Sequence, residues 1–438
     1  MPASPTFAAP KGTHDILPAG KNRAAWADDI TKWHWLESVV RELTALYGYE
    51  EVRTPAFEAT DLFHRAVGEG TDIVTKEMYD FLTKPNKDGK SDRLTLRPEG
   101  TAPTLRAYVE NRLYIDKPVV KLFYLAAIFR HEREQKGRYR QHHQFGVEAL
   151  GASGAEMDAE VISLAMAFFR RLGIARLTLK INSVGTPESR AHYVAALREW
   201  AAPFLPEMSE DNRRRYETNA LRMLDSKNER DQELLADAPL LSDYLDDESR
   251  AHHEKLLGYL SDLGVTYESD PRLVRGFDYY VKTAFEVQSP DVGAQSALAG
   301  GGRYDKLVED LGGSPTPGIG FGLGIERTLI ALEALHTVVP EPPAPVAFLC
   351  PIGDAARAAS VKILADLRAA GIAADADYTG RRMKGMLEQA DVLRARFAVI
   401  LGDEEIVRGA ANVRDMVTKG QESVALAELA ERLRDGVE

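Results

Sequence analysis

The stretch "VVKLFYLAAIFRHEREQKGRYRQHHQFGVEALG" (residues 119–151) contains two strand-like segments, 119–133 and 139–151, joined by the loop "EQKGR". Two such segments around a short loop with a glycine predict a β-hairpin. Residues of the return strand alternate in character, so one face should be apolar and the other polar. The polar face carries Arg140, His142, Gln144, Gly146 and Glu148. A half-exposed edge strand would show the same alternation, so this face alone does not establish a site.

The loop of this hairpin is basic, although the chain as a whole is acidic. Between Arg130 and Arg140 there are five basic and two acidic residues, a local charge of +3, whereas the net charge of the chain is -12. Arg130 also closes an otherwise apolar strand, where a buried charge needs a partner. These features favour an anion site. The nearby His131, His142 and His143 lack carboxylate or cysteine companions at metal-ligand spacing, so no metal site is predicted.

Two further stretches place charged groups beside turns. "TLRPEGTAPTLRAYVEN" (95–111) predicts a strand, a tight turn and a helix with Thr101 as its N-cap. Glu99 in that turn is a carboxylate suited to an ammonium group.

The stretch "TPGIGFGLGIERTLIALE" (316–333) has glycines at 318, 320, 322 and 324, which leave one strand face without side chains. Either another backbone or a planar base could lie there, and Arg327 on the next helix could bind an anion.

The stretch "LVRGFDYYVKTAFEV" (273–287) reads as a strand that opens with an arginine and two tyrosines. These side chains suit a site that holds an anion and a small polar ligand. Strict alternation would put Arg275 and Tyr279 opposite Tyr280, so the backbone near Gly276 should leave strand geometry if all three face one site. The glycines of "ALAGGGRYDKLVEDLGG" (297–313) predict either a simple tight loop or a close approach of the backbone to a ligand.

Length and composition predict a multi-domain globular protein without internal disulfides. The chain has 438 residues, 28% charged residues and one cysteine. It has no apolar run of membrane-spanning length and no targeting pattern, so we expect a cytoplasmic protein that does not bind membranes. A net charge of -12 argues against a protein that coats nucleic acid.

We expect a first domain at 1–334 with a long helix at 23–47 and a helical insertion at about 186–262. A proline-rich linker at 335–344 and an α/β domain of three alternating strands and helices at 345–438 should follow.

Together these stretches resemble the histidyl-tRNA synthetase family of the class II aminoacyl-tRNA synthetases. "YGYEEVRTPAFE" (47–58) is similar to class II motif 1, the hairpin to motif 2 and "GIGFGLGIERTLIALE" (318–333) to motif 3. "LVRGFDYY" and "AGGGRYDKLVEDLGG" resemble the two signatures peculiar to the histidyl family. The similarity spans the whole chain in the same order. The small departures, at Phe277, Gly300 and Lys306, remove no functional side chain.

The resemblance implies a fold and a set of site residues. The catalytic domain should be α+β, an antiparallel sheet flanked by helices, followed by a C-terminal α/β anticodon-binding domain. The implied catalytic residues are Arg275 and Arg130. The implied histidine-binding residues are Glu99, Thr101, Gln144, Glu148, Arg275, Tyr279, Tyr280 and Tyr304. For ATP the implied residues are Arg130, Arg327, Gly324 and Arg303, and for the tRNA acceptor end they are Gln135, Lys136 and Arg138.

The implied reaction is histidine activation by ATP, with Mg²⁺, followed by transfer to tRNA-His. Within the site, Arg130 would hold the α-phosphate, Arg327 the γ-phosphate and Glu99 the substrate ammonium group. The resemblance also implies a homodimer, with motif 1 at its interface. The alternative is a regulatory paralogue that binds histidine within a biosynthetic ATP phosphoribosyltransferase without charging tRNA. Such proteins usually lack the C-terminal domain, which is present here.

Overall fold

The computed structural model describes residues 7–18, 25–68, 71–133, 137–226, 228–274, 279–292 and 297–435. It divides into two compact units, Met1–Val339 and Pro340–Glu438. The division falls within the segment 335–344 that the sequence predicts as a linker. Among the residues with described positions, no helix is both long and apolar enough to cross a membrane.

The first unit is built on a large, mostly antiparallel sheet. Its strands are β1 (Glu50–Glu51), β2 (Phe57–Ala59), β3 (Tyr79–Leu82), β4 (Arg93–Leu96), β5 (Val120–Phe129), β6 (Gln141–Leu150), β7 (Thr178–Ser183), β8 (Glu268–Ser269), β9 (Val281–Gln288), β10 (Ala297–Arg303) and β11 (Gly318–Gly324). Eight of them form one sheet in the order β1-β5-β6-β11-β10-β9-β7-β8, and β2-β4-β3 form a small second sheet. In the large sheet only the outermost pairs, β1–β5 and β7–β8, are parallel.

Helices pack on both faces of the large sheet and form the insertion. They are α1 (Ile30–Leu46), α2 (Thr60–Val67), α3 (Thr101–Glu110), α4 (Ala155–Arg171), α5 (Pro187–Ala201), α6 (Glu210–Thr218), α7 (Glu229–Leu234), α8 (Asp247–Asp262), α9 (Leu307–Asp310) and α10 (Ile325–Ala334). Phe145 and Val147 of β6 and Phe321 of β11 lie in one apolar core with Phe168 and Phe169 of α4. Alternation therefore sends their sequence neighbours to the opposite face, where the site lies.

The helix predicted at 23–47 starts later than expected. Helix α1 begins at Ile30, because the Asp29 carboxylate accepts the Thr31 N–H at 2.9 Å and caps the first turn. The hairpin of residues 119–151 is present: β5 and β6 pair from Val120↔Leu150 to Phe129↔Gln141.

The second unit has two strands more than the sequence predicted. Its elements are β12 (Ala347–Ile352), α11 (Asp354–Ala369), β13 (Ala374–Ala376), α12 (Met383–Val392), β14 (Phe397–Gly402), α13 (Asp403–Val407), β15 (Ala410–Asp415), β16 (Gln421–Ala425) and α14 (Leu429–Asp435). The sheet order is β13-β12-β14-β15-β16, with parallel pairing around β12 and antiparallel pairing beyond β14. The added strands β15 and β16 are short and mostly exposed or half-buried, so their apolar pattern is weak.

Candidate active site

A cavity of about 710 Å³ opens on the polar face of the large sheet. Four parts of the chain that the sequence singled out meet there: the β5–β6 hairpin, the turn before α3, the β11–α10 junction and the segment before β9. The predicted site residues on its wall are Glu99, Thr101, Arg130, Arg138, Gln144, Glu148, Tyr279, Tyr280, Tyr304, Gly324 and Arg327. The sequence thus predicted which separate segments would come together.

Glu148 is a buried carboxylate on the cavity wall. Its side chain is 1% exposed, and it accepts hydrogen bonds from the hydroxyls of Thr101, at 2.7 Å, and Tyr304. Burial raises the pKa of Glu148 to about 8, because the charged form loses hydration, although both hydroxyl donors oppose the shift. A ligand that donates an N–H here would offset part of that loss.

Glu99 is a second buried carboxylate in the same cavity, and it corrects one prediction. Its oxygens accept the backbone N–H groups of Thr101, at 2.6 Å, and Ala102, at 2.8 Å. The helix begins at Thr101 itself, so the prediction that Thr101 is the N-cap is wrong; Glu99 satisfies the first N–H groups instead. Burial raises the pKa of Glu99, and the two backbone donors oppose that rise.

The two tyrosines before β9 both reach the cavity, because the strand starts only at Val281. Strict alternation therefore does not apply to Tyr279 and Tyr280. Their ring centroids are 4.7 Å apart, and the ring of Tyr279 also contacts that of Tyr304 edge to face at 5.7 Å. Arg275, predicted to act beside them, lies outside the described residues, as do Gln135 and Lys136.

The four glycines of β11 divide into two pairs. A Cβ on Gly318 would collide with the ring of Tyr304, and one on Gly320 would collide with the carboxylate of Glu148. At Gly322 the nearest atom to such a Cβ would be Oε1 of Gln144 at 3.5 Å, and at Gly324 it would be a side-chain carbon of Arg327 at 3.7 Å. Side chains therefore lie close over the first pair, whereas the second pair leaves room for a flat group.

Five arginines among the described residues line the cavity, and three of them, Arg130, Arg138 and Arg327, form one group. The Nε of Arg130 donates to the carbonyl of Pro98 at 2.7 Å, and Arg138 pairs with Glu132 at 3.0 Å. Arg327 donates to the carbonyls of Gly137, at 3.1 Å, and Ala297, at 3.0 Å. Burial lowers the pKa of Arg327, and the charges of Arg138 and Arg130 lower it further. Clustered positive charges with restricted hydration are suited to a polyanion.

His142 adds a neutral ring beside these cations. Burial, reinforced by the charge of Arg130, lowers its pKa to about 3, so the imidazole is uncharged at neutral pH. Among the residues that the structure describes, no group of three or more potential ligands could hold a metal ion.

Arg303 does not line the cavity, so the prediction that it binds ATP is wrong. Its side chain is 0% exposed and pairs with the buried Asp158 of α4. Asp158 also accepts hydrogen bonds from His252 of α8 at 2.8 Å and from Thr283 of β9 at 2.5 Å. Burial alone would raise the pKa of Asp158, but His252 and Arg303 hold it below its usual value. Arg303 therefore has a structural role, in which it connects β10 to α4.

Several residues of the cavity were missed from the sequence. The ring of Tyr124 fills the space over Gly100 and Gly146, where a Cβ would collide with it. Tyr124 lies opposite Gly146 in the hairpin register, so a tyrosine facing a glycine was the available signal.

Two charged residues of the cavity were also missed. Glu326 accepts the backbone N–H of His143 at 2.9 Å. Arg222 of the insertion, paired with Asp72 at 3.3 Å, also reaches the cavity, and nothing in its sequence context indicated this.

Comparisons with known proteins agree across both units. Residues 23–328 match the family model described as Histidyl-tRNA synthetase, and residues 347–436 match the one described as Anticodon binding domain. A histidine–tRNA ligase from Desulforudis audaxviator is 48% identical over 427 residues, covering 97% of this chain and 98% of that protein. One from Caldanaerobacter subterraneus subsp. tengcongensis is 44% identical over 427 residues, covering 98% and 99% respectively.

Solved structures show the same fold. The apo histidyl-tRNA synthetase of S. aureus superposes with a TM-score of 0.79 at 38% identity, covering 98% of this chain and 100% of that one. A Bacillus halodurans protein described as an ATP phosphoribosyltransferase regulatory subunit/histidyl-tRNA synthetase reaches a TM-score of 0.60 at 22% identity, covering 91% and 99%. The second similarity concerns the fold alone.

Proposed function

Since the chain belongs to the histidyl-tRNA synthetase family, we propose how its cavity divides between the substrates of the reaction. The chain is a histidine–tRNA ligase: it activates histidine with ATP to histidyl-adenylate and pyrophosphate, and then transfers histidine to tRNA-His. The observation that carries the proposal is that one cavity holds the buried carboxylates Glu99 and Glu148 together with the guanidinium groups of Arg130, Arg138 and Arg327.

The buried carboxylates Glu99 and Glu148 bind histidine in this proposal. Glu148 accepts an N–H of the imidazole, and Tyr279, Tyr280 and Tyr304 surround the ring. Glu99, with Thr101 and Gln144, faces the α-ammonium group. A ligand without ring nitrogens would leave the remaining acceptor positions of the buried Glu148 carboxylate without a partner, and sites of this kind discriminate by about 10⁴–10⁵.

The guanidinium groups of Arg130 and Arg327 bind ATP. Arg130 holds the α-phosphate, Arg327 the γ-phosphate, and the base lies against Gly322 and Gly324, where the strand leaves room. Arg138, with Gln135 and Lys136 of the same loop, is assigned to the acceptor end of tRNA. Arg275 stays the second predicted catalytic cation on the grounds of the sequence alone.

The chemistry matches these residues. Adenylation brings together two anions, the histidine carboxylate and the α-phosphate, and a carboxylate attacks without a strong base. The main requirement is therefore the stabilisation of charge that builds up on the phosphate, which fixed arginines supply. Mg²⁺ usually binds through phosphate oxygens, water and one or two carboxylates, so it would accompany ATP here. Glu286, which lines the cavity, is a suitable single carboxylate for it.

We also propose that the chain forms a homodimer and acts in the cytoplasm, where ATP and tRNA are available. Support for the dimer comes from the small β2-β4-β3 sheet, whose strand β2 begins at the end of motif 1. The rings of Phe57 and Phe81, on strands β2 and β3, contact each other edge to face. Both are nevertheless partly exposed, at 49% and 43%, and Leu82 is 68% exposed. A second copy of the chain would cover this apolar surface. Sedimentation of an active monomer at micromolar concentration would contradict the dimer.

One assay separates the ligase from a regulatory paralogue. The ligase should exchange pyrophosphate into ATP in a histidine-dependent way and should charge tRNA-His with histidine. A regulatory subunit would bind histidine without either reaction. Absence of exchange by folded protein would reject the assignment of the cavity to both substrates.

A further inference from the structure

Tyr280 belongs to two parts of the molecule. Its ring lines the active-site cavity, and it also lies in the apolar core of the helical insertion with Tyr193, Leu197 and Leu241. Only 7% of the residue is exposed. The insertion therefore packs directly behind the wall that faces the substrate ring.

The insertion also holds the backbone at this residue. Arg190 of α5 donates from Nη1 to the carbonyl oxygen of Tyr280 at 2.6 Å. Hydrogen bonds from a charged donor are short and stronger than those between neutral groups. Because this bond ends on the main chain, it restrains where the backbone of Tyr280 lies, while the apolar core of the insertion packs against its ring.

The backbone two residues further on is held from the same side. Lys282 has a φ of +54°, which is uncommon for a residue with a side chain and persists only where the surroundings hold it. Its N–H donates to the carbonyl of Gly185 at 2.9 Å, and its own carbonyl accepts from Val184 at 2.6 Å. Its ammonium group pairs with Glu248 of α8 at 2.7 Å. The chain entering α5 and the first turn of α8 thus hold this segment.

We propose that the helical insertion positions the histidine pocket and that Arg190 is the positioning residue that holds Tyr280 in it. This inference rests on the proposed assignment of Tyr280 to the imidazole of histidine. It gives the insertion a role in amino-acid recognition, because the contacts run from insertion helices to the segment that carries the tyrosine. ATP recognition by Arg130 and Arg327 should not depend on these contacts.

The test replaces Arg190 in the full-length chain. Arg190→Met removes the donor and keeps much of the side-chain length. Histidine KM in pyrophosphate exchange should rise about tenfold, equivalent to about 1.4 kcal/mol. ATP KM and kcat should change less than about twofold. Arg190→Lys, which keeps a positive donor, should recover part of the loss and serves as the test variant if Arg190→Met does not fold.

The matched control is Arg198→Met. Arg198 lies on the same helix and also donates to main-chain carbonyls, those of Tyr216 and Glu217, both at 3.1 Å. This variant should keep the wild-type histidine KM. The inference fails if the Arg190 variants keep that KM too, if ATP KM rises in parallel, or if the control shows the same defect. A wild-type chain without exchange activity would instead contradict the proposed function.

Discussion

Glu148 is an ionisable residue in a place where its charge is costly. Its pKa of about 8 stands above the ordinary value of 4.5, because burial removes hydration that two hydroxyl donors only partly replace. In the absence of ligand, the folded state therefore holds the proton more tightly than the unfolded state does. The contribution of this residue to stability is complete below pH 4.5 and is lost as the pH rises to about 8.

The same pKa gives a prediction for histidine recognition. The ionised carboxylate is the form that accepts an imidazole N–H, so kcat/KM for histidine should rise with pH around a midpoint near 8. This profile reports groups of the free enzyme. In Glu148→Gln that limb should disappear and histidine KM should rise at least about tenfold, since a charge-assisted hydrogen bond contributes about 1.5–3 kcal/mol. An unchanged pH profile in the variant would count against the assignment.

Arg130 should act on the reaction rate more than on histidine affinity. Arg130→Gln removes one fixed cation at the phosphate end, and the loss of one such contact typically lowers the rate by about 10²–10³. Pyrophosphate exchange at saturating histidine measures this effect. Arg176→Gln is a suitable control, because Arg176 is 70% exposed and pairs with Asp291 at 3.1 Å, away from the cavity wall. Equal losses in the two variants would argue against a role at the phosphate.

At the scale of elements, the glycines of strand β11 have two roles. Gly318 and Gly320 are needed for packing, whereas Gly322 and Gly324 line the space assigned to ATP. Gly322→Ala adds a methyl group that meets only Gln144, at 3.5 Å, and so should leave the melting temperature within about 2 °C of wild type. It should nevertheless raise ATP KM, because the methyl group occupies the space assigned to the base. Gly320→Ala would press on the carboxylate of Glu148 and the carbonyl of Val147 and should destabilise the fold. Thermal melts and ATP titrations of both variants check the contrast.

The elements show which parts of the site could be predicted from sequence. The two faces of the return strand were readable, because alternation along it shows which side chains share a face. The start of β9 was not readable: β-branched and aromatic residues continue through Tyr279 and Tyr280, while the strand begins at Val281. Arg303 was misassigned because its partner Asp158 lies 145 residues away in the chain. No local pattern reports a partner at that distance.

At the scale of the whole molecule, each unit has its own apolar core. Phe168 and Phe285 lie in a core of the first unit, whereas Phe397 and Val399 lie in one of the second. A chain that ends at Val339 should therefore still fold and make histidyl-adenylate, provided that it dimerises. It should charge tRNA poorly and lose part of its salt-dependent tRNA affinity, since the second unit is the anticodon-binding domain. Aminoacylation and pyrophosphate exchange, measured side by side, test this.

The buried Asp158 also bears on how a newly made chain matures. Its partners His252, Thr283 and Arg303 follow it by 94, 125 and 145 residues. Closing such long loops costs entropy before any contact forms, so these bonds should form late in folding. During synthesis, Asp158 leaves the ribosome well before the arginine that neutralises it. The segments next to β9 and β10 that carry Tyr280 and Tyr304 are anchored only after that partner emerges, so a nascent chain should gain histidine binding as one of its last steps.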